Sequence, residues 1–330
     1  MYRKLCLVMV AAVLALIMTG CFSNNKLSLL PDYSAELSTR LVKAPKQSTK
    51  NRILILDVDG VITDWGESKF FYEEEATTTI IRKKLEKAVG DERIKAVVLR
   101  VNSPGGTVTG SDIVYREIMK YKQTAKVPVV AAMMGVAASG GYYVSCSADL
   151  IVAHQTTITG SIGVIMHSFG FDGLFKKIGM ESRVIKAGKF KDAGNPFAEM
   201  SPEQRQILQT IVDQSYDRFV QVIDDGRPNL NLEQVRALGD GRVMTAQDAL
   251  RAGLVDKIGD LDDAIGEAMR LANIRDAGVI LYSTNQRPEQ NIFSETTASA
   301  ANINLDLGQF NLTALLDAAR PRIYYLWLGF

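Results

Sequence analysis

The run Met-Gly-Val-Ala-Ala-Ser-Gly-Gly-Tyr-Tyr, Met134 to Tyr143, decides how this chain folds. It continues the apolar stretch Pro128 to Met134 and sets Ser139 among Ala137, Ala138, Gly140 and Gly141. Small neighbours let a backbone turn sharply from strand to helix, leaving a hydroxyl proud of the turn with room for an incoming carbonyl. The run departs from the Gly-X-Ser-X-Gly form of such turns, because Ala137 stands at its first glycine. The plain alternative is a small-residue helix start capped by Ser139.

Outward from that turn the chain alternates. Apolar runs at Ile53 to Ile62, Ile94 to Val101, Val127 to Met134 and Leu150 to Ala153 predict strands. Helical spacing predicts helices over Ile80 to Val89, Ser111 to Ala125, with Val114, Ile118 and Tyr121 on one face, and Ser139 to Cys146. A further helix and strand are expected at Phe171 to Ile178 and Arg183 to Lys186. Pro202 to Asp225 reads as a long helix capped by Ser201, with Leu208, Ile211, Ser215, Phe219 and Val222 near helical spacing. Shorter helices follow at Leu232 to Leu238, Thr245 to Ala252 and Leu261 to Leu271. Strand, helix, strand in sequence implies an α/β fold of mostly parallel strands joined by right-handed crossovers.

The 330 residues are 47% hydrophobic and 23% charged, an ordinary globular balance, and a net charge of +1 carries no nucleic-acid signal. The N-terminus differs. Arg3 and Lys4 precede an uncharged run from Leu5 to Met18, then Thr19, Gly20 and Cys21. That run is short for a membrane span, which needs about 20 residues, but suits a signal peptide. The small pair before Cys21 resembles a bacterial lipobox, so residues 1–20 are expected to be a lipoprotein signal and Cys21 the lipidated first residue; an uncleaved anchor is the alternative. Either way the body faces out of the cytoplasm. Phe22, rather than an aspartate, follows Cys21, which leaves inner and outer membrane both open. With Cys6 in the signal and Cys21 acylated, Cys146 remains alone, so no disulfide is expected. Residues 21–50 are polar with Pro31 and Pro45 and read as a tether, 51–272 as the catalytic domain, and 273–330 as an extension. Within it Ser283 to Asn304 is polar and expected to be loose, and a short helix is expected near Leu312 to Ala319. The extension ends in Ile323 to Phe330, too apolar for a free tail and expected to dock in a neighbouring subunit's cleft or a subunit interface, with membrane contact as the rival.

Two more segments bear on Ser139. Asn-Ser-Pro-Gly-Gly, Asn102 to Gly106, follows a strand end, and its turn can aim amides into a cleft. Gly106, with Gly105 second, and the amide of Gly140 are the candidate donors for a tetrahedral oxyanion. Thr-Gly-Ser-Ile-Gly-Val, Thr159 to Val164, carries Ser161. A serine hydroxyl needs a base within about 3 Å. The chain has only His154 and His167, and neither lies in a motif. Lysines 186, 189 and 191 in Lys186 to Phe197 are the other candidates.

These runs, with Gly241 to Gly259, stand in the order found in the signal peptide peptidase A family of serine proteases, which the chain resembles from about Ile53 to about Met269. The resemblance implies a crotonase/ClpP-like fold of repeated ββα units and an ATP-independent serine endopeptidase acting on remnant signal peptides or other apolar peptides at the membrane. It implies that Lys191 is the base for Ser139, which requires a neutral, desolvated amine. Ser161 then orients that lysine, and Asp192 is expected to point away from it. It implies a homo-oligomer whose active site is shared between protomers, with no cofactor and no metal.

Three other readings compete. Leu-Asp-Val-Asp-Gly-Val-Ile-Thr-Asp, Leu56 to Asp64, resembles the nucleophile strand of haloacid dehalogenase phosphatases, with Asp57 and Asp59 around Mg²⁺. Ala249 to Asp256 resembles a run of the crotonase enzymes, which act on acyl-CoA. A binding scaffold without catalysis is the third, disfavoured by the intact set of Ser139, Lys191 and Gly106.

Overall fold

The computed structural model describes residues 37–69, 72–283, 291–293 and 322–327. The expected signal peptide, Cys21, the loose segment from residue 284 on (apart from 291–293) and the helix near Leu312 to Ala319 lie outside the described residues.

The chain runs β1 (Ser38–Lys43), β2 (Arg52–Asp59), β3 (Glu67–Lys69), β4 (Tyr72–Glu74), α1 (Thr77–Val89), β5 (Ile94–Ser103), β6 (Gly105–Thr107), α2 (Val108–Ala125), β7 (Val129–Ala138) and α3 (Gly140–Ser145). It continues through β8 (Leu150–Ala153), β9 (Ile158–Gly160), β10 (Ile165–His167), α4 (Asp172–Lys177), α5 (Pro202–Gly226), α6 (Leu232–Leu238) and β11 (Val243–Thr245). It closes with α7 (Ala246–Arg251), β12 (Lys257–Ile258), α8 (Leu261–Leu271), β13 (Gly278–Ser283) and β14 (Arg322–Leu326).

The main sheet has the order β1-β13-β2-β5-β7-β8-β12, with β9 beside β7 and β11 beside β9. From β13 to β12 every pair along that path is parallel, and β1 closes the edge antiparallel to β13. This is the crotonase/ClpP-like α/β arrangement. Strands covered on both faces read as continuous apolar runs, and β2 does so. Leu54, Leu56 and Val58 join Ile81 and Leu85 of α1 and Val114, Ile118 and Tyr121 of α2 in one core. Ile53 and Ile55 join Leu261, Ala264, Ile265 and Ala268 of α8 in the other.

Several expectations shift. Ser38–Lys43 falls in the expected tether, yet its alternating half-buried and exposed residues fit an edge strand, and it pairs with β13. The sheet therefore reaches past both bounds expected for the catalytic domain, 51–272. Arg183 to Lys186 forms no strand; these residues are exposed and pair with no other strand. β7 runs on past Met134, because its first half pairs with β8 and its last three residues pair with β9. α5 starts at a Ser201–Gln204 capping box as expected, but only its C-terminal half is buried, through Phe219, Val220, Val222 and Ile223. Cys146, at the end of α3, is a buried free thiol. Gly226 of α5 lies so close that an added Cβ would fall 2.5 Å from the Cys146 carbonyl oxygen.

Candidate active site

Ser139 ends β7 and precedes α3 with φ 52° and ψ −115°, a left-handed conformation that side-chain-bearing residues avoid. It is a strained strand-to-helix turn and not a cap, since its side chain makes no capping hydrogen bond. The ladder that holds it is the β7/β9 pair: Ala138 lies opposite Gly160, and the Ser139 amide donates to the Gly160 carbonyl at 2.8 Å. Ser139 is 1% exposed.

Ser161 follows Gly160 directly, so each serine comes one residue after the last pair of the same ladder, Ala138 opposite Gly160. Its own φ is 50°, and its amide donates to the Arg242 carbonyl at 2.7 Å.

The Asn102 to Gly106 turn meets the Ser139 turn backbone to backbone. A Cβ on Gly140 would lie 3.0 Å from Gly105 Cα and 3.1 Å from the Gly106 nitrogen, and one on Gly141 would lie 2.6 Å from the Ser103 carbonyl oxygen. Gly106 is hemmed from its other side, where an added Cβ would sit 1.9 Å from the Ile62 carbonyl oxygen. The glycines thus have a steric cause: the two candidate amide donors, Gly106 and Gly140, border one point only because neither carries a side chain. Ser111, which sequence reasoning missed, abuts this contact with a buried hydroxyl that has no hydrogen-bond partner among the described residues. Its Oγ would be 2.4 Å from a Cβ on Gly140. Nothing in its local sequence marks it.

The lysines sit on an outer arm. Lys186 pairs with Asp192 at 2.5 Å and Lys189 with Glu203 at 2.6 Å. Asp192 also accepts from Gln204, and the Lys186 hydrogen bond holds its carboxyl below the usual carboxylate range. Lys191 is exposed, and its side chain makes no hydrogen bond to Ser139 or to any other described residue. Burial of this amine, expected above, is absent within the single chain. The arm also exposes Phe169, Leu174, Ile178, Met180, Val184 and Ile185, the last at 103% of its reference area.

Neither histidine bonds to Ser139. His154 Nδ1 contacts Thr156 Oγ1 at 2.8 Å, and His167 lies in β10 opposite Arg322. The aspartates of the rival motif are engaged structurally: Arg100 Nε donates to Asp57 at 2.6 Å inside the core, and Asn102 Nδ2 donates to Asp59 at 3.0 Å.

The matches to known proteins follow this geometry. Residues 121–275 match Peptidase family S49 and residues 71–160 match Clp protease. The signal peptide peptidase SppA of Enterococcus faecium is 38% identical over 72% of this chain and 69% of its own length. Protease 4 of Haemophilus influenzae is 36% identical over 83% of this chain but only 43% of its own length, so the chain spans less than half of that relative. A protease of Synechocystis is 37% identical over 69% of this chain and 77% of its own. A ClpP-like sheet that ends in a strained serine beside two glycine amides, in a chain with these relatives, defines a serine peptidase. The chain belongs to peptidase family S49, the signal peptide peptidase A family. The acyl-CoA and phosphatase readings give way to that membership.

Proposed function

We propose that this peptidase is an ATP-independent endopeptidase with a Ser139–Lys191 dyad completed between subunits, cleaving remnant signal peptides or other apolar peptides at the membrane. The observation that carries it is the pairing of a finished half-site with an unfinished one. Ser139 stands buried beside the Gly106 and Gly140 amides, while Lys191 lies on an exposed arm studded with large apolar side chains. Such a surface is what an arm docking on another subunit presents. A neutral amine requires desolvation, and a covering subunit supplies it.

In this mechanism Lys191 Nζ takes the Ser139 hydroxyl proton as Oγ attacks the scissile carbonyl, the Gly106 and Gly140 amides stabilise the oxyanion, and the same lysine protonates the leaving amine. Ser161, one residue past the β7/β9 ladder like Ser139, accepts a hydrogen bond from the amine and orients it. Cys21 anchors the protein by lipid, with the catalytic domain outside the cytoplasm.

Subunit mixing tests the reading. Ser139→Ala and Lys191→Ala should each reduce casein hydrolysis by at least about 10⁴-fold, the double variant being little worse, because members of such a unit are not additive. Mixed single variants should recover activity through hybrid sites. Verified subunit exchange without recovery rejects the shared site, and retained activity in Lys191→Ala rejects the dyad.

A further inference from the structure

The aspartate-rich run Leu56 to Asp64 has no part in the peptidase chemistry described above, yet its second half lies along the Asn102 to Gly106 turn. Asp59 accepts from Asn102 Nδ2 at 3.0 Å, and Gly60, left-handed at φ 66°, donates its amide to the Asn102 carbonyl at 3.0 Å. The Gly60 carbonyl accepts from Ser103 Oγ at 2.6 Å, and that hydroxyl accepts in turn from the Gly105 amide at 3.1 Å. Ile62 pairs with Gly106 as a parallel bridge, its amide donating to the Gly105 carbonyl and its carbonyl accepting from the Thr107 amide, each at 2.9 Å. Asp64 closes the run by accepting from Thr107 Oγ1 at 2.7 Å, while the same hydroxyl accepts from the Gly110 amide at 3.0 Å and caps α2. On its outer side the run is tied to α1, where the Thr63 amide donates to Thr77 Oγ1 at 3.2 Å and the Thr78 amide to the Thr63 carbonyl at 3.3 Å.

These bonds decide where one amide points. A planar trans peptide aims its carbonyl and its N–H in opposite directions. With the Gly105 carbonyl held by Ile62, the Gly106 N–H points away from Ile62 and out of the opposite edge of β6. That edge is bordered by β14, which lies between β6 and β10, so the tail docks in its own chain and not in a neighbour's cleft. The nucleophile turn lies on the same side: a Cβ on Gly105 would fall 1.9 Å from the Tyr325 carbonyl oxygen of β14 and 2.7 Å from the Gly140 nitrogen. The glycine pair needs such holding. With φ of 105° at Gly105 and no Cβ on either residue, nothing in the pair itself resists rotation of the peptide between them, which would turn the donor toward Ile62.

We infer that Asp59 to Asp64 is a positioning brace for the oxyanion hole. Ile62 sets the direction of the Gly106 amide, and two side-chain bonds fix Ile62 against β6 from either end, Ser103 through Gly60 and Asp64 through Thr107. The inference rests on Gly106 acting as an oxyanion donor for Ser139. None of the brace residues touches substrate; they act through the backbone of Gly105 to Thr107.

The full chain in detergent tests this with a fluorogenic peptide and with the aldehyde of the same peptide, whose tetrahedral adduct with Ser139 places its oxygen in the hole. Asp64→Ala and Ser103→Ala should each lower kcat by about 10- to 100-fold, less than the loss of a whole donor, with KM unchanged. Affinity for the aldehyde should fall by the same factor. Asp64→Asn should restore most of the rate, because its amide oxygen still accepts from the Thr107 hydroxyl. Ser139→Ala is measured beside them. If it is inactive while Asp64→Ala and Ser103→Ala keep their kcat, or lose kcat with aldehyde affinity intact, the brace is overturned and the peptidase reading stands. Failure of Asp64→Asn to restore the rate overturns it as well. Hydrolysis by Ser139→Ala overturns the reading of the site and the brace together.

Discussion

Ser139 is held at φ 52° by its neighbours and not by its own preference. Such a conformation costs a side-chain-bearing residue about 1 to 3 kcal/mol, which the β7/β9 ladder must offset. Replacement by glycine should release that strain, whereas alanine keeps it. Ser139→Gly is therefore expected to melt higher than Ser139→Ala by roughly 1 kcal/mol in unfolding free energy, with both inactive. Denaturant titration checks it, and equal midpoints would place the strain elsewhere. Gly106 is constrained differently. Its added Cβ would meet Ile62 backbone, which has no rotamer to move. Gly106→Ala should cost about 1 to 3 kcal/mol of stability and, by shifting one oxyanion donor, about 10² to 10³ in kcat.

At the scale of elements, α5 shows what a sequence can and cannot tell. Its cap was legible, because Ser201, Pro202 and Gln204 are a local signal. Its buried face was legible only in part: Phe219 and Val222 pack in the core, but Ile211 on the same stripe is 40% exposed and Ile207 is 38% exposed. Helical spacing reports that a face is apolar and says nothing of whether this chain or another covers it. The arm before α5 misled the strand reading for the same reason, since Val184 and Ile185 look like core and lie in solvent. The nucleophile turn, the two glycine pairs and Ser161 could be read because their small residues are demanded locally. Ser111 could not, because only the fold carries it to the glycine contact. Ile207→Lys with Ile211→Lys should leave the unfolding midpoint within about 0.5 kcal/mol of wild type. The same pair of changes should lower the oligomer mass seen by light scattering; unchanged mass would mean the exposed face of α5 is not a subunit contact.

Across the whole molecule, one polar knot ties three helices, α2, α3 and α5, to one another. Asp112 of α2 accepts from Tyr143 of α3 at 2.6 Å and from Arg218 of α5 at 2.9 Å. Burial raises the Asp112 pKa, but the hydrogen bonds from Tyr143, Arg218 and Arg116 outweigh it and hold the carboxyl below its usual range. Its stabilisation is present above the unfolded value of about 3.9 and fades as pH falls through the lower folded one. The tyrosines act at the other end. Burial raises Tyr142, Tyr143 and Tyr325, which therefore stabilise the fold below about pH 10 and progressively less above it, as the unfolded chain ionises first. Melting temperature should thus fall below pH 4 and again above pH 10, and a flat profile from pH 8 to 11 would contradict the buried phenols.

Cys146, pressed against Gly226 where α3 meets α5, has its pKa pushed by burial to about 12. Thiolate is the reactive form, so this sulfur resists oxidation and disulfide exchange while the fold stays closed. It is consequently a built-in clock. In protein with Cys6 and Cys21 replaced by serine, a thiol reagent can label Cys146 only when α3 and α5 part, and the labelling rate counts how often the floor beneath the nucleophile opens.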